Sequence, residues 1–532
     1  MDLFAVFSFA FFAFGIGLIS WYKTRSVKLN TTASLFLANR SNGYMVIGGS
    51  LFLTNISANQ FIGENESVYI NNMTVIGWGV SSVLAMLIVS EFFIPVYLKS
   101  GITTTPDFLE ERYDRSTKSL VSVVFLLSYI VNLLPPALYG GAVAFNGMFN
   151  ISGYFNISYW QSIWIIVWAS GSLGCLYTVL GGLKAITISD SVLSVCMLVI
   201  GLLLPYFGLK YLGGGDISAG LTTLLSAKKE HLNAIGSAAD AVPFSTLFTG
   251  MLIVNLYYWG MEQYIVQQTI SGKSLADSQK GLAIGCIAKL LCPLLINIPG
   301  LIAVHLYPSL NNTAEVFPLL VRDVLPSVLT GLTVTIVAGA AITTYTAGLN
   351  SCSTLFILNL YGPWKEKRGQ SLNEGQLVRA GKLFEVVVSI IAMISAPFIM
   401  FARGGFYSYL QQVSGMFSIP IFTIIFIGFV TRRVPAVAAK AGLVLFIVMY
   451  AFSQFVFKVD LHFLHVLAIL FLLTSAFMLV LGRIYPMKTS YRQVDRSFVS
   501  LKPWKNRHFA SVVLLILMVL MFVVFSPLGI AD

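Results

Sequence analysis

The chain has 532 residues, of which 57% are hydrophobic and only 10% charged. A soluble domain carries about 25% charged residues. A mean hydropathy of +0.82 therefore leaves too little polar surface for a water-soluble globule, and a polytopic helical membrane protein is expected. The net charge of +11 would suggest a nucleic-acid partner in a soluble chain, so its placement along the sequence decides its meaning.

A membrane-spanning helix needs roughly 20 mostly apolar residues. Fourteen stretches qualify, near 3–21, 45–71, 75–98, 119–149, 158–180, 185–213, 241–266, 281–307, 326–360, 381–401, 405–430, 437–457, 460–482 and 509–528. No basic residue precedes the first span, whereas Lys23, Arg25 and Lys28 follow it. That polarity predicts a retained helix with its N-terminus outside, rather than a cleaved signal. With alternate loops facing the cytoplasm, 26 of the 33 Lys and Arg residues fall on that side. Lys210, Lys228, Lys229, Arg322, Arg403 and Lys458 fall on the other, and Lys289 lies inside a span. The basic excess thus reads as the cytoplasmic rim of a multi-pass inner-membrane protein surrounded by membrane lipid, with both termini extracytoplasmic and no nucleic-acid partner. No GxxxxGK[ST] sequence and no long polar segment is present, so neither an ATP-driven engine nor an enzyme is expected. The five cysteines lie in apolar stretches without CxxC spacing and read as small buried residues, not as a disulfide framework or zinc site. The sequons at Asn55, Asn65 and Asn72 read as chance matches.

Polar residues inside a membrane are costly and tend to mark pathways. The second span is the richest, with Gly48, Gly49, Ser50, Thr54, Asn55, Ser57, Asn59 and Gln60 clustered about its middle. This predicts a broken helix whose freed carbonyls face a cation; the alternative is a continuous helix packed through small residues. In 326–360, Ala340, Thr343 and Thr344 share a helix face. With the carbonyls of Leu53 and Ile56 opposite, they would make a hard-oxygen set suited to a small alkali cation; the alternative is threonines that back-bond their own helix. Asn255, Tyr258 and Trp259 repeat this spacing in 241–266, an amide beside aromatic rings that suits a sugar or an interfacial belt. Lys289 lines water or pairs with a buried acid such as Glu262. Asp190, just beyond Gly181–Ala185, attracts cations near the inner end or serves as a cap or a loop ion-pair partner.

Taken in order, these motifs resemble the sodium/solute symporter family, and within it the bacterial sodium/galactose symporter branch. The resemblance rests on NISANQFIG at 55–63, TPDFLEERY at 105–113, GGLKA with Asp190, NLYYWGMEQYIVQQT at 255–269, Lys289, LNSCSTLF at 349–356 and YLQQVSG at 409–415. It implies an all-α fold of about fourteen transmembrane helices. Its core is leucine-transporter-like, two inverted five-helix repeats with a broken first core helix. Residues 1–44 would add an N-terminal helix and loop. The core would be 45–430, with repeats near 45–213 and 241–430, and 431–532 would hold three extra helices.

Carried over by position, the coupling sodium ion (Na+) would be held by the carbonyls of Leu53, Ile56 and Ala340 and the hydroxyls of Thr343 and Thr344. Asp190 would lie on its release path. Gln60, Asn255, Lys289 and Gln411 match sugar-contacting positions, and Tyr258 matches the aromatic of the inner gate. The branch has a sugar-binding Glu where this chain has Gly79, while Glu64 and Glu66 stand where relatives carry small neutral residues. Glu64, four positions beyond Gln60, returns to the same helix face and is a further substrate-site candidate. The expected function is sodium-coupled symport of a sugar or sugar-like solute by alternating access. The alternative solute is an acidic sugar, such as a uronate or sialic acid, or another carboxylate nutrient.

Overall fold

The computed structural model describes residues 3–25, 31–37, 40–56, 58–310, 313–370, 372–401, 406–457 and 459–532. Lys28, Ser57, Arg403 and Lys458 of the sequence reading lie outside the described residues. The described residues are helical and loop segments, with no strand beyond two isolated bridging pairs.

The main helices are α1 (Leu3–Thr24), α2 (Tyr44–Asn55), α3 (Ala58–Ile70), α4 (Met73–Ser100), α5 (Arg115–Phe149), α6 (Tyr159–Leu212), α7 (Gly250–Gly260), α8 (Gln263–Thr269), α9 (Leu275–Leu306), α10 (Ser327–Lys367), α11 (Glu374–Phe401), α12 (Phe406–Val430), α13 (Ala436–Ala451), α14 (Phe463–Ile484) and α15 (Arg507–Val524). Eleven helices among the described residues are long and apolar enough to cross a membrane. Four expected spans differ in form. The second is the pair α2/α3, interrupted after Asn55, because Gly, Ser and Asn there are poor helix formers. The seventh is the pair α7/α8, separated by Met261 and an extended Glu262, a break that the sequence reading did not place in this span. The fifth and sixth form one 54-residue run, α6, bent where Gly182 adopts φ 59, ψ −169. That backbone region is essentially open only to glycine.

Several helices contain a π-helical turn, at 89–93, 129–133, 293–297, 356–361 and 452–456. The second turn leads directly into Pro135 and Pro136. Proline has no N–H to donate to the preceding turn, so the chain widens there and turns side chains toward the interior.

Polar contacts sort into two ends. At one end, Lys118 pairs with Asp107 and Glu110 (both 2.8 Å), Lys440 with Asp114 (2.7 Å), Arg496 with Glu111 (2.7 Å) and Arg507 with Glu91 (3.1 Å). These join the loops expected to carry the basic rim. At the other, Lys228 donates to the Val304 carbonyl (2.7 Å) and Lys229 to that of Asp532 (2.5 Å). Ser8 reaches the Val328 carbonyl (2.8 Å), which ties α1 to the first turn of α10.

Candidate functional site

The two breaks converge on one cavity of about 200 Å³, far more than the 10–15 Å³ a single water needs. Gln60 from α3, Asn255 and Tyr258 from α7, Lys289 from α9 and Gln411 from α12 all line it. Five residues expected from sequence therefore meet, although up to 351 positions separate them. Asn255 Nδ2 donates to Ser81 Oγ (3.1 Å), and the Tyr258 hydroxyl accepts from Tyr264 (3.0 Å).

Glu64 stands one layer back, 2% exposed and outside the lining. It accepts from Gln60 Nε2 (2.9 Å) on one oxygen and from Asn297 Nδ2 (3.0 Å) on the other, and Lys289 acts on its charge. With both oxygens accepting, Glu64 fixes which way the Gln60 amide points. Gln60 Oε1 has no hydrogen-bond partner, and the same holds for Asn55 Oδ1 and Asn132 Oδ1, whose residues also line the cavity. Beside Lys289, a Cβ on Gly79 would lie 3.9 Å from Lys289 Cδ. Glycine there leaves space where a longer side chain would meet the ammonium. Glu66 points elsewhere and takes the Thr313 hydroxyl (2.5 Å).

Lys289 makes no ion pair with Glu262. Glu262 follows the second break and accepts the Tyr129 hydroxyl, because the π-turn of α5 carries Tyr129 to it. Ser128, Tyr129 and Asn132 line the cavity without having been read from sequence, and Glu262, read only as a partner for Lys289, lines it too. The usable signals were Pro135–Pro136 in mid-span and an acid directly after Gly260–Met261.

The oxygen-rich face of α10 adjoins the same cavity. Thr344 lines it with Thr54, and Thr344 Oγ1 lies 3.4 Å from the Thr54 carbonyl. Leu53 is in the last turn of α2 and Ile56 caps it. Carbonyls at a helix end lack intrahelical donors and remain available to a cation. The Ala340 carbonyl accepts from Thr343 Oγ1 at 3.2 Å. Asp190 is wholly buried and accepts from Ser50 Oγ and Thr54 Oγ1, both at 2.9 Å. It is neither a helix cap nor a loop ion-pair partner. It ties α6 to the last turns of α2, beside the half-site.

The profile of the Sodium:solute symporter family matches residues 35–445, a span that contains both breaks and every lining residue named above. The chain belongs to the sodium:solute symporter family. It is 39% identical over 98% of its length to an uncharacterized symporter, YidK, of Escherichia coli, covering 90% of that protein. It is 29% identical to the sodium/glucose cotransporter of Vibrio parahaemolyticus (80% of each chain). It is 26% identical to sodium/glucose cotransporter 1 of Ovis aries (81% of this chain, 68% of that one). A substrate-bound, outward-open Na+-coupled sialic acid symporter superposes with a TM-score of 0.79 at 19% identity, over 92% of this chain and 99% of that one. Mhp1, a nucleobase-cation-symport-1 family transporter, superposes with 0.54 at 14% identity (87% and 98%).

The fold is thus the leucine-transporter-like one. The symporter is a multi-pass membrane protein that uses sodium to carry a small-molecule solute, a transporter and not an enzyme. Thr54 and Thr344 border the cavity, so the oxygen-rich face of α10 and the cavity share a wall.

Proposed function

We propose that the symporter carries a neutral sugar or sugar-like polyol into the cell, drawn by the sodium gradient. The observation that carries this reading is the set of unpartnered carbonyl oxygens on Asn55, Gln60 and Asn132 around the cavity. A buried acceptor without a donor costs about 1–3 kcal/mol. Sugar hydroxyls donate, whereas a carboxylate only accepts. Glu64 reinforces the preference, since its charge offsets Lys289 and holds the Gln60 acceptor in place. The names of the sodium/glucose cotransporters among the relatives point the same way.

In this reading Gln60, Asn255, Lys289 and Gln411 hold the hydroxyls, Tyr258 closes over the ring, and Glu64 serves through Gln60. Sodium sits between the carbonyls of Leu53, Ile56 and Ala340 and the hydroxyls of Thr343 and Thr344, and passes Asp190 on release. Residues 45–430 form the rocking core, with halves near 45–213 and 241–430, flanked by 1–44 and 431–532. The basic end faces the cytoplasm across the cell membrane, with both termini outside. The membrane potential then contributes about 2.3 kcal/mol per charge per 100 mV.

The acidic-solute alternative draws on Lys289 beside Gly79. Competition against one labelled substrate in proteoliposomes separates the two. Neutral hexoses or polyols are expected to inhibit uptake. Inhibition by uronates or sialic acids but not by neutral sugars would overturn the neutral reading.

A further inference from the structure

Beyond the cavity, α10 carries a second polar feature. Thr343, Thr346, Asn350 and Ser353 recur at helical spacing and share one face. The stripe descends about 15 Å from the proposed sodium site toward the basic end, at 1.5 Å per residue. All four are buried, the last three completely. Near its lower end, α11 places Glu385, also wholly buried.

Neither oxygen of Glu385 has a hydrogen-bond partner, and the same is true of Ser353 Oγ and of both polar atoms of the Asn350 amide. The Ser353 hydroxyl faces the Glu385 carboxyl. It also lies 2.8 Å from where a Cβ of Gly381, one turn before Glu385, would stand. Lys382 on the same helix acts on Glu385 only from a distance. From the packed helices, the ionisable groups facing Glu385 are the thiols of Cys352 and Cys175, neither of which supplies positive charge. A carboxylate taken out of water without a donor or counter-charge is among the costliest buried groups. Buried polar atoms are otherwise almost always partnered. Carboxylate, hydroxyl and amide oxygens together make a hard donor set, suited to an alkali cation rather than to a soft metal.

We propose that Glu385, Ser353 and Asn350 form an inner station that receives the sodium ion after it leaves Thr343 and Thr344 and before it reaches the cytoplasm. The proposal rests on the sodium reading above. It adds a residue, Glu385, and a route down α10 that the cavity does not require. The station exchanges with the inside, so its loss is felt in release and in inhibition by internal sodium, not in binding from outside.

The test is net solute uptake into proteoliposomes at varied internal and external sodium, for the unaltered protein, Glu385→Gln, Glu385→Asp, Ser353→Ala and Thr344→Ala. Glu385→Gln is expected to raise the internal sodium giving half-inhibition at least threefold and to slow net uptake. External half-saturation should stay within twofold. Ser353→Ala should shift internal inhibition in the same direction, and Glu385→Asp should restore it in part. Should Glu385→Gln fail to fold, Ser353→Ala and Glu385→Asp carry the test. Unchanged internal inhibition in the folded variants, alongside a Thr344→Ala shift in external sodium dependence, would overturn the station and leave the coupling site standing. Unchanged external dependence in Thr344→Ala would overturn the coupling site itself. Internal inhibition that follows internal pH instead of sodium, and disappears in Glu385→Gln, would assign the station to a proton and overturn the proposal.

Discussion

In the proposed mechanism ion and solute meet at Thr344, whose hydroxyl faces both the Thr54 carbonyl and the cavity. Thr344→Ala removes one proposed cation ligand from a buried position. Half-saturation by sodium should rise about tenfold, the equivalent of 1.4 kcal/mol, with little change in expression. Sodium titration of uptake measures this. Glu64 makes a different prediction. Glu64→Gln replaces an acceptor-only group with one that no longer dictates the Gln60 orientation, and it leaves Lys289 without its counter-charge. KM for the solute should rise about three- to tenfold, as expected for one hydrogen bond worth about 0.5–1.5 kcal/mol, with kcat nearly unchanged. Glu66→Gln, which loses only Thr313, should leave KM alone. Equal effects of the two substitutions would deny Glu64 its role behind Gln60. The lining residues Gln60, Asn255, Tyr258, Lys289 and Gln411 were legible in sequence because each is a polar or aromatic residue inside an apolar span or motif. The depth of Glu64 was not, since helical spacing gives the face of a residue but not which neighbours stand in front of it.

Helix interruptions decide how these side chains are presented. The break after Asn55 was legible from its density of Gly, Ser, Thr and Asn. The break at Met261–Glu262 was hidden, because its flanks Asn255–Gly260 and Gln263–Thr269 pattern as one amphipathic run and only tertiary partners such as Tyr129 hold Glu262 extended. The joint in α6 is a clearer case for experiment. Gly182→Ala places a Cβ at φ 59, ψ −169, strain of about 1–3 kcal/mol. It should lower the Tm of the detergent-solubilised protein, whereas Gly369→Ala, in an open loop at φ 72, should cost less. A second element-scale test is the start of α5. Asp114 caps it through the Thr117 N–H (2.7 Å) and bonds Lys440. Burial opposes its charge, but Lys440 and the Thr117 and Ser116 donors win and hold the carboxyl at about 2, below its ordinary 3.8. The depressed value means that its stabilisation is complete above pH 4 and lost as pH falls through 2. Asp114→Ala should therefore cost about 1 kcal/mol at pH 7, seen as a lower Tm, and the gap to the unaltered protein should close between pH 4 and 2.

At the scale of the whole molecule, composition and charge placement made the membrane class legible, and the ion pairs gathered at one end agree with the loops that the sequence grouped there. The inverted halves were not visible as a repeat in the sequence. Packing, not residue identity, brings the α2/α3 break and the α7/α8 break to one cavity. In the proposed mechanism both breaks serve one coupled step, in which sodium at Thr343 and Thr344 and a neutral solute at Gln60 and Asn255 bind together before the core rocks. The most direct test is concentrative uptake of a labelled neutral sugar by proteoliposomes under an inward sodium gradient. The expected result is accumulation above the external concentration that saturates with sugar, collapses when a sodium ionophore dissipates the gradient and is not supported by potassium. Uptake that only equilibrates, or that proceeds equally with potassium, would contradict sodium-coupled symport of a neutral sugar.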